Sequence, residues 1–351
     1  MFYSLKILNV QKETPNSISV EFEVPKKIQN HFSFKAGQFL TLKKKISNED
    51  IKRSYSICST PNSGKFKVVI KQIPNGKFST YALNNLKMGD FIDVAKPSGN
   101  FFLTPHPKTK KSYTLIAAGS GITPIFSILK TILSEEPNSN VKLFYGNKSP
   151  ELTIFRQEIE KISKIYSKNL TVHFIYTQIK NKSRFHCGRI EGEKIKKIFT
   201  KMAPISLTDE IFICGPQEMT SGIYNLITNN FNFDPSSIHY ELFKGNTIEK
   251  KSRVKTKKVS RVIAIIDGEI FEFIVKKNES ILEAGLAAGY DIPFSCQGGV
   301  CGVCKCTSGE GETEMSNSIA LSDDEIDSGI ILSCQAKVLS PSLKINFDNC
   351  F

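Results

Sequence analysis

Four cysteines carry a spacing that metal chemistry uses. Cys296, Cys301 and Cys304 lie in Pro-Phe-Ser-Cys-Gln-Gly-Gly-Val-Cys-Gly-Val-Cys-Lys-Cys (293–306), and Cys334 follows in Leu-Ser-Cys-Gln (332–335). C-x4-C-x2-C with a distant fourth Cys is the plant-type [2Fe–2S] ligand pattern. Two irons bridged by two sulfides need four thiolates, three from one tight loop and one from elsewhere. Gly298, Gly299 and Gly302 fall between the ligands, where bare backbone lets amides face the sulfides. A structural zinc site usually takes its thiolates as two C-x2-C pairs, and this region holds one. The other five cysteines (Cys58, Cys187, Cys214, Cys306, Cys350) are scattered, which suits a reducing compartment better than a disulfide framework.

Two further constellations suit nucleotide chemistry. Arg53-Ser54-Tyr55-Ser56 sits on or just after a strand, and Gly76-Lys77-Phe78-Ser79-Thr80 follows as a loop opening a short helix. An Arg fork with a hydroxyl-lined helix N-terminus can hold a pyrophosphate. A Tyr beside a small hydroxyl can lie on a flat ring and bond its edge. Taken singly, an Arg-x-Tyr-Ser is usually an edge strand with one solvated charge; the pairing in this order carries the weight. Gly119-Ser-Gly121-Ile-Thr123-Pro124 follows the buried-strand pattern Tyr-Thr-Leu-Ile-Ala-Ala (113–118). It is not G-x-G-x-x-G, because Pro124 replaces the third Gly, but Pro suits a helix's first turn and leaves amides for a phosphate.

The elements that must position these residues fall into three blocks. Residues 1–108 alternate apolar and polar over short stretches between Pro/Asn/Gly turns, predicting an antiparallel barrel or sandwich. Residues 109–243 alternate strands with helices, predicting a parallel nucleotide-binding sheet. Residues 244–258 hold seven basic residues and one acidic and read as a linker. Residues 259–351 open with a hairpin turning at Asp267-Gly268, continue through a helix from Ser280 to Ala288, and then enter the cysteine loop. That predicts a small α+β domain.

The net charge of +13 invites a nucleic-acid reading, but its distribution argues otherwise. Residues 259–351 hold 6 Lys+Arg against 14 Asp+Glu, and residues 1–258 hold 41 against 20. A basic body with an acidic module points to docking, internal or with a partner. No aromatic-basic or helix-turn-helix motif stands out. No apolar run approaches the roughly 20 residues of a membrane span. The N-terminus runs into strand-like sequence with no secretory pattern, so the expected location is the cytoplasm.

Together these motifs, with Tyr-Gly-Asn-Lys (145–148), Phe-Ile-Cys-Gly-Pro (212–216) and Tyr-Glu-Leu-Phe (240–243), resemble the ferredoxin–NADP reductase superfamily with a plant-type ferredoxin fused at the C-terminus. Within it, the look is that of phenylacetyl-CoA epoxygenase reductase subunits, then of ketosteroid hydroxylase reductases. The resemblance spans essentially the whole chain. It implies an antiparallel β-barrel FAD domain, an α/β NAD(P) domain and a β-grasp-like ferredoxin domain. It further implies electron flow from NADPH or NADH through FAD to the [2Fe–2S] cluster and on to a protein acceptor, an oxygenase or hydroxylase component. By the same resemblance, Arg53 clamps the FAD pyrophosphate, Tyr55 stacks on the isoalloxazine and Ser56 bonds near its N5. Ser54 belongs to the same motif, while Gly76, Phe78, Ser79 and Thr80 bind the diphosphate. Gly119, Gly121, Thr123 and Pro124 hold the nicotinamide dinucleotide's pyrophosphate. Cys214 would lie near the nicotinamide and Phe243 would cover the flavin, although either residue also makes an ordinary core position.

Nucleotide choice is read from the second strand of the parallel sheet, where NAD sites carry an acid for the ribose 2′-OH. Here Asn147-Lys148 offers no acid and one cation, and Lys180, Lys182, Arg184 and Arg189 cluster after the third strand. NADPH is the expectation, though the same cations would suit a solvated basic face. Two rival functions remain: a general ferredoxin or flavin reductase, and a non-enzymatic iron–sulfur redox sensor.

Overall fold

The computed structural model describes residues 2–179, 183, 185–231, 233–243, 259–266, 268–290, 292–294, 298–299, 302–318 and 320–348, with main chain only at 242 and 243. Lys182, Arg184, Cys296, Cys301, Asp267 and the 244–258 segment lie outside the described residues. The chain divides into two compact units, Met1–Gly245 and Asn246–Phe351.

The first unit begins with β1 (Phe2–Thr14), β2 (Ser17–Glu23), β3 (Phe39–Ile46), β4 (Glu49–Ser56), β5 (Phe66–Lys71) and, after α1 (Lys77–Asn85), β6 (Phe91–Ala95). These strands pair antiparallel in the order β4-β3-β6-β1-β2-β5. Period-2 alternation turns Leu5 and Ile7, Leu40 and Leu42, and Val68 and Ile70 inward, all at 0% exposure. An Ile57–Val68 bridge joins the two outer strands and closes the sheet into the expected barrel. From α1, Phe78 and Ala82 enter the barrel core.

Next come β7 (Ser112–Ala118), α2 (Ile122–Glu135), β8 (Asn140–Asn147), α3 (Arg156–Ile165), β9 (Leu170–Tyr176), α4 (Glu193–Lys197), β10 (Glu210–Pro216), α5 (Gln217–Asn230) and β11 (Ile238–Phe243). All five strands run parallel in the order β11-β10-β7-β8-β9. Helices cover both faces, which is why Tyr113–Ala117 is apolar except for Thr114 and buried throughout. The strand order reverses beside β7, so its C-terminal end and that of β10 flank a switch-point crevice, where such sheets bind ligands.

The barrel and the parallel sheet share one core. Ile125, Ile128 and Leu129 of α2 pack with Ala36, Cys58, Phe101 and Leu103 of the preceding block. The buried Ser127 hydroxyl donates to Ser59 O across this seam at 2.6 Å. The seam therefore fixes the FAD-type barrel against the nucleotide-type sheet.

The second unit holds β12 (Val259–Ile266), β13 (Glu269–Lys276), α6 (Ile281–Ala287), β14 (Lys305–Ser308), β15 (Thr313–Met315), α7 (Asp323–Asp327), β16 (Ile330–Leu332), β17 (Ala336–Val338) and β18 (Ser342–Asn346). Its mixed sheet runs β13-β12-β18-β14-β16, with β12 and β18 parallel, and β15 pairs β17 in a separate ribbon. A capping box starts α6: Ser280 Oγ accepts from Glu283 N at 3.2 Å, and Glu283 Oε2 accepts from Ser280 N at 3.0 Å. The helix then buries Ile281, Leu282 and Ala284 against Phe273, Val275 and Leu332. This is the expected β-grasp-like module. Among the described residues no helix is long and apolar enough to cross a membrane.

Candidate functional site

The flavin-side residues gather where β4 ends and α1 begins. Tyr55 packs its ring against Phe78 with centroids 5.7 Å apart. Burial pushes its phenol well above the ordinary range, with Arg53 pulling the other way. Ser54 Oγ lies 3.0 Å from Thr41 Oγ1, which ties β4 to β3. Arg53 is exposed, and its Nη1 donates to Lys52 O at 2.6 Å. At the helix, Ser79 Oγ accepts from Ile73 N at 3.2 Å, and Gln72 Nε2 donates to Thr80 Oγ1 at 3.3 Å, so two of the hydroxyls hold the entry loop. Gly76 is the N-cap and supplies no side-chain cap, leaving first-turn amides for an external acceptor. A Cβ at Gly76 would sit 2.5 Å from both Ile73 Cγ1 and Ser79 Oγ, so a larger residue there would displace these two side chains. A flat half-buried ring beside an uncapped helix start fits the isoalloxazine and diphosphate of FAD.

On the dinucleotide side, the Gly119-Ser120-Gly121 turn ends β7 and leads into α2, with Pro124 in the first turn as the sequence suggests. Thr123 Oγ1 donates to Ser120 O at 3.0 Å and Tyr145 OH to Gly119 O at 3.1 Å, bracing the turn. A Cβ on Gly121 would fall 2.2 Å from Cys214 O, so the turn presses directly on the end of β10. Lys71, at the end of β5, brings its Nζ to this turn, 3.5 Å from where a Gly119 Cβ would stand. Among the described residues it has no hydrogen bond or ion pair, and burial, then the neighbouring Lys148 charge, pulls its pKa down. Lys148 itself is exposed just past β8. Asn147 Nδ2 is buried with no partner among the described residues. Two unmatched donors beside a bare turn fit a phosphorylated dinucleotide.

The two sides meet at a buried carboxylate. Ser56 Oγ donates to Glu241 Oε2 at 3.4 Å, and Cys214 Sγ lies 4.0 Å from the same oxygen. Ser56, Cys214 and Glu241 are 3%, 0% and 6% exposed. Burial, and then the Glu241 charge, pushes the Cys214 thiol far above its ordinary pKa, so it stays neutral. β11 pairs with β10 so that Glu241 faces Cys214, and Phe243 follows opposite Pro216. The sequence reading overlooked Glu241 and Lys71. An acid inside the apolar Tyr-Glu-Leu-Phe strand was the available signal, since carboxylates are rarely buried. Lys71 had none, because a strand-ending Lys looks solvated. His239 is a packed histidine: it stacks on Phe212 at 4.4 Å, and its Nε2 lies 3.2 Å from Glu210 Oε2.

In the second unit, Cys304 and Cys334 are buried at 2% and 6%. Ser333 N donates to Cys304 O at 3.0 Å, which brings the two ligand segments side by side. Gly299 and Gly302 adopt φ of 79° and 71°, the left-handed turns that a loop of inward-facing amides requires. Gln335 Nε2 donates to Cys334 Sγ at 3.5 Å, and Asn317 Nδ2 donates to Gly298 O at 2.8 Å. A sulfur already accepting a hydrogen bond, in a loop built from left-handed glycines, fits an iron–sulfur cluster. Cys306, by contrast, is 0% exposed within β14, among the apolar core.

Fold and site thus define a modular flavin and iron–sulfur reductase. Family models match in the same order: an oxidoreductase FAD-binding domain at residues 4–103, an oxidoreductase NAD-binding domain at 115–224 and a 2Fe-2S iron-sulfur cluster binding domain at 264–339. The chain is 35% identical over 349 residues to a subunit of 1,2-phenylacetyl-CoA epoxidase of Escherichia coli (strain K12), covering 99% of this chain and 98% of that one. It is 30% identical to the ferredoxin reductase component of 3-ketosteroid-9-alpha-monooxygenase of Rhodococcus rhodochrous, over 98% and 96% of the two chains. Among solved structures, phthalate dioxygenase reductase superposes with a TM-score of 0.62 at 26% identity, covering 99% of this chain and 98% of that chain. The chain belongs to the family of oxygenase reductase components, oxidoreductases that carry electrons from pyridine nucleotide through FAD and a [2Fe–2S] cluster to an oxygenase.

Proposed function

We propose that this reductase draws on NADPH and serves an oxygenase of the phenylacetyl-CoA epoxidase kind. The observation that carries its chemistry is the Ser56–Glu241–Cys214 meeting point, where the flavin-side strand and the dinucleotide-side strand share one buried carboxylate oxygen. When bound, FAD supplies a ring that accepts two electrons together and releases them singly, and the cluster accepts them one at a time.

The chain's own residues bind, orient and exclude water. Tyr55 and Phe78 form an apolar wall for the flavin ring, and the start of α1 with Ser79, Thr80 and Arg53 faces its diphosphate. Glu241 holds the Ser56 hydroxyl in one orientation toward the flavin's reacting edge, and a buried acceptor that is itself fixed needs no reorganisation during transfer. The neutral Cys214 thiol lies wholly buried beside the Gly121 turn and puts no charge beneath the place a nicotinamide would take. Lys71 and Lys148 supply positive charge for the dinucleotide's phosphates. NADPH is favoured because the end of β8 presents Asn147 and Lys148, with no carboxylate for a 2′-OH. Cys296, Cys301, Cys304 and Cys334 ligate the cluster.

The acceptor reading rests on the end-to-end match to an epoxidase subunit. Purified chain should contain about one FAD and about two irons with two acid-labile sulfides, the content such a cluster requires. It should reduce cytochrome c faster with NADPH than with NADH, and should restore turnover to an epoxidase preparation lacking its reductase. Faster reduction with NADH would overturn the nucleotide choice, and failure to restore turnover would overturn the acceptor.

A further inference from the structure

Among the buried polar atoms described in the second unit, the Ser333 hydroxyl stands without a partner. The residue is 0% exposed, so water does not reach it. Its main chain is fully engaged: the N–H donates to Cys304 O at 3.0 Å, and the C=O accepts from Leu282 N at 2.9 Å. It is therefore clamped between the start of α6 and the cysteine loop, next to Cys334 in the chain and beside Cys304 across a hydrogen bond. Leaving a buried hydroxyl unmatched costs the desolvation of the group with nothing gained in return. Alanine would fill nearly the same space without that penalty. The other buried serine among the described residues of this unit, Ser280, is satisfied, its Oγ donating to Glu283 Oε2 at 2.9 Å.

We propose that Ser333 Oγ donates a hydrogen bond to a bridging sulfide of the [2Fe–2S] cluster and thereby raises its reduction potential, since the hydroxyl has no cysteine sulfur as its partner among the described residues. The group that would accept this proton is the one the family adds between Cys304 and Cys334. Cluster sulfurs take hydrogen bonds, and those bonds are among the protein's levers on potential. One-electron reduction adds negative charge that the sulfurs share. A donor aimed at them stabilises the reduced form more than the oxidised one. Gln335 Nε2 already reaches Cys334 Sγ at 3.5 Å, so Ser333 would be a second and wholly buried donor. Ser333 is a positioning and tuning residue, outside the ligand set itself.

The test is redox titration of the full-length holoprotein, following the cluster by EPR, for wild type, Ser333→Ala and Ser333→Thr. Iron and sulfide content is measured on each, which keeps a wrong cluster assignment apart from a wrong hydroxyl assignment. Ser333→Ala should lower the reduced-to-oxidised ratio at a fixed poise about threefold to tenfold, a midpoint about 30–59 mV more negative at 59 mV per tenfold for one electron. Ser333→Thr, which keeps the hydroxyl, should stay near wild type. Iron–sulfur stretching bands in resonance Raman should shift in D2O for wild type and shift less in Ser333→Ala. A Ser333→Ala cluster with unchanged midpoint and unchanged D2O response overturns the proposal. If Ser333→Ala holds no iron, Ser333→Thr decides. A loaded Thr variant with a wild-type midpoint supports the hydroxyl's role, and an unloaded one makes the position one of packing and overturns it.

Discussion

Ser56 and Glu241 meet hydroxyl to carboxylate at 3.4 Å although 185 residues separate them in the chain. One ends a barrel strand and the other lies in an outer strand of the parallel sheet, so the contact exists only when both sheets are seated on their common core. A buried carboxylate holding one short hydroxyl is a device for orientation. Glu241→Gln keeps the shape and removes the charge, and Ser56→Ala removes the donor. Each should slow flavin reduction by NADPH in stopped flow by about tenfold, the lower end of the about 1.5–3 kcal/mol of a hydrogen bond to a charged group, because 3.4 Å is long for an O–H···O bond. FAD content should hold. The double variant should be little slower than Ser56→Ala alone, because the charge at Glu241 acts through the Ser56 hydroxyl that it holds. Fully additive losses would show that the two residues act separately.

Lys71 allows a pH test. Burial, then Lys148, pulls its pKa below the ordinary lysine value. Its positive charge therefore begins to fade, as pH rises, sooner than that of a solvated lysine. An anionic dinucleotide binds the charged form, so KM for NADPH should climb on the alkaline side while kcat moves less. Lys71→Gln should raise KM about tenfold at neutral pH, roughly one charge-assisted hydrogen bond, and should flatten the alkaline rise. An alkaline rise that persists in Lys71→Gln would assign it to another group.

Much of this architecture was legible because periodicity reports burial directly. The alternation in β1 to β5 and the largely apolar run in β7 each declare which faces are covered, and the cysteine spacing declares its own chemistry. What escaped was pairing at long range. The seam that buries Glu241 beside Cys214 depends on strand order, which no local pattern encodes. Lys71 is unmatched because β5 ends against the Gly119 turn, a fact of tertiary packing. Arg53, the expected pyrophosphate clamp, is exposed and its guanidinium donates to Lys52 O, a contact that does not decide that role. A long cation at a strand's exposed edge can swing among several acceptors, and no local pattern states which one it takes.

Nucleotide choice can be checked independently of Lys71. Replacing Lys182 and Arg184 by Ala should raise KM for NADPH by one to two orders of magnitude and leave NADH little changed. A 2′-phosphate loses charge-assisted hydrogen bonds worth about 1.5–3 kcal/mol each when such partners go. Steady-state kinetics with both nucleotides reads this directly. Equal effects on the two would mean that these cations form a general basic face.

The cluster assignment predicts a split between two electron acceptors. Ferricyanide can take electrons from the flavin directly, whereas cytochrome c reduction is expected to need the cluster. Cys296→Ser, Cys301→Ser, Cys304→Ser and Cys334→Ser should each abolish cytochrome c reduction while ferricyanide reduction survives, since the barrel and parallel sheet form a compact unit of their own. Cys306→Ser is the informative control. Cys306 sits only two residues beyond Cys304, yet its place in β14 is fully buried among Ile331, Leu332 and Ile345. Alternation along the strand turns neighbouring side chains to opposite faces, and a residue two positions on returns to the first face one step further from the loop. Its serine variant should therefore keep its iron and its cytochrome c activity, with stability lowered by about 1–3 kcal/mol for a hydroxyl buried in an apolar site. Iron analysis of the two variants together decides the ligand set: a Cys306→Ser protein that folds but loses iron, beside a Cys304→Ser protein that keeps it, would exchange their roles.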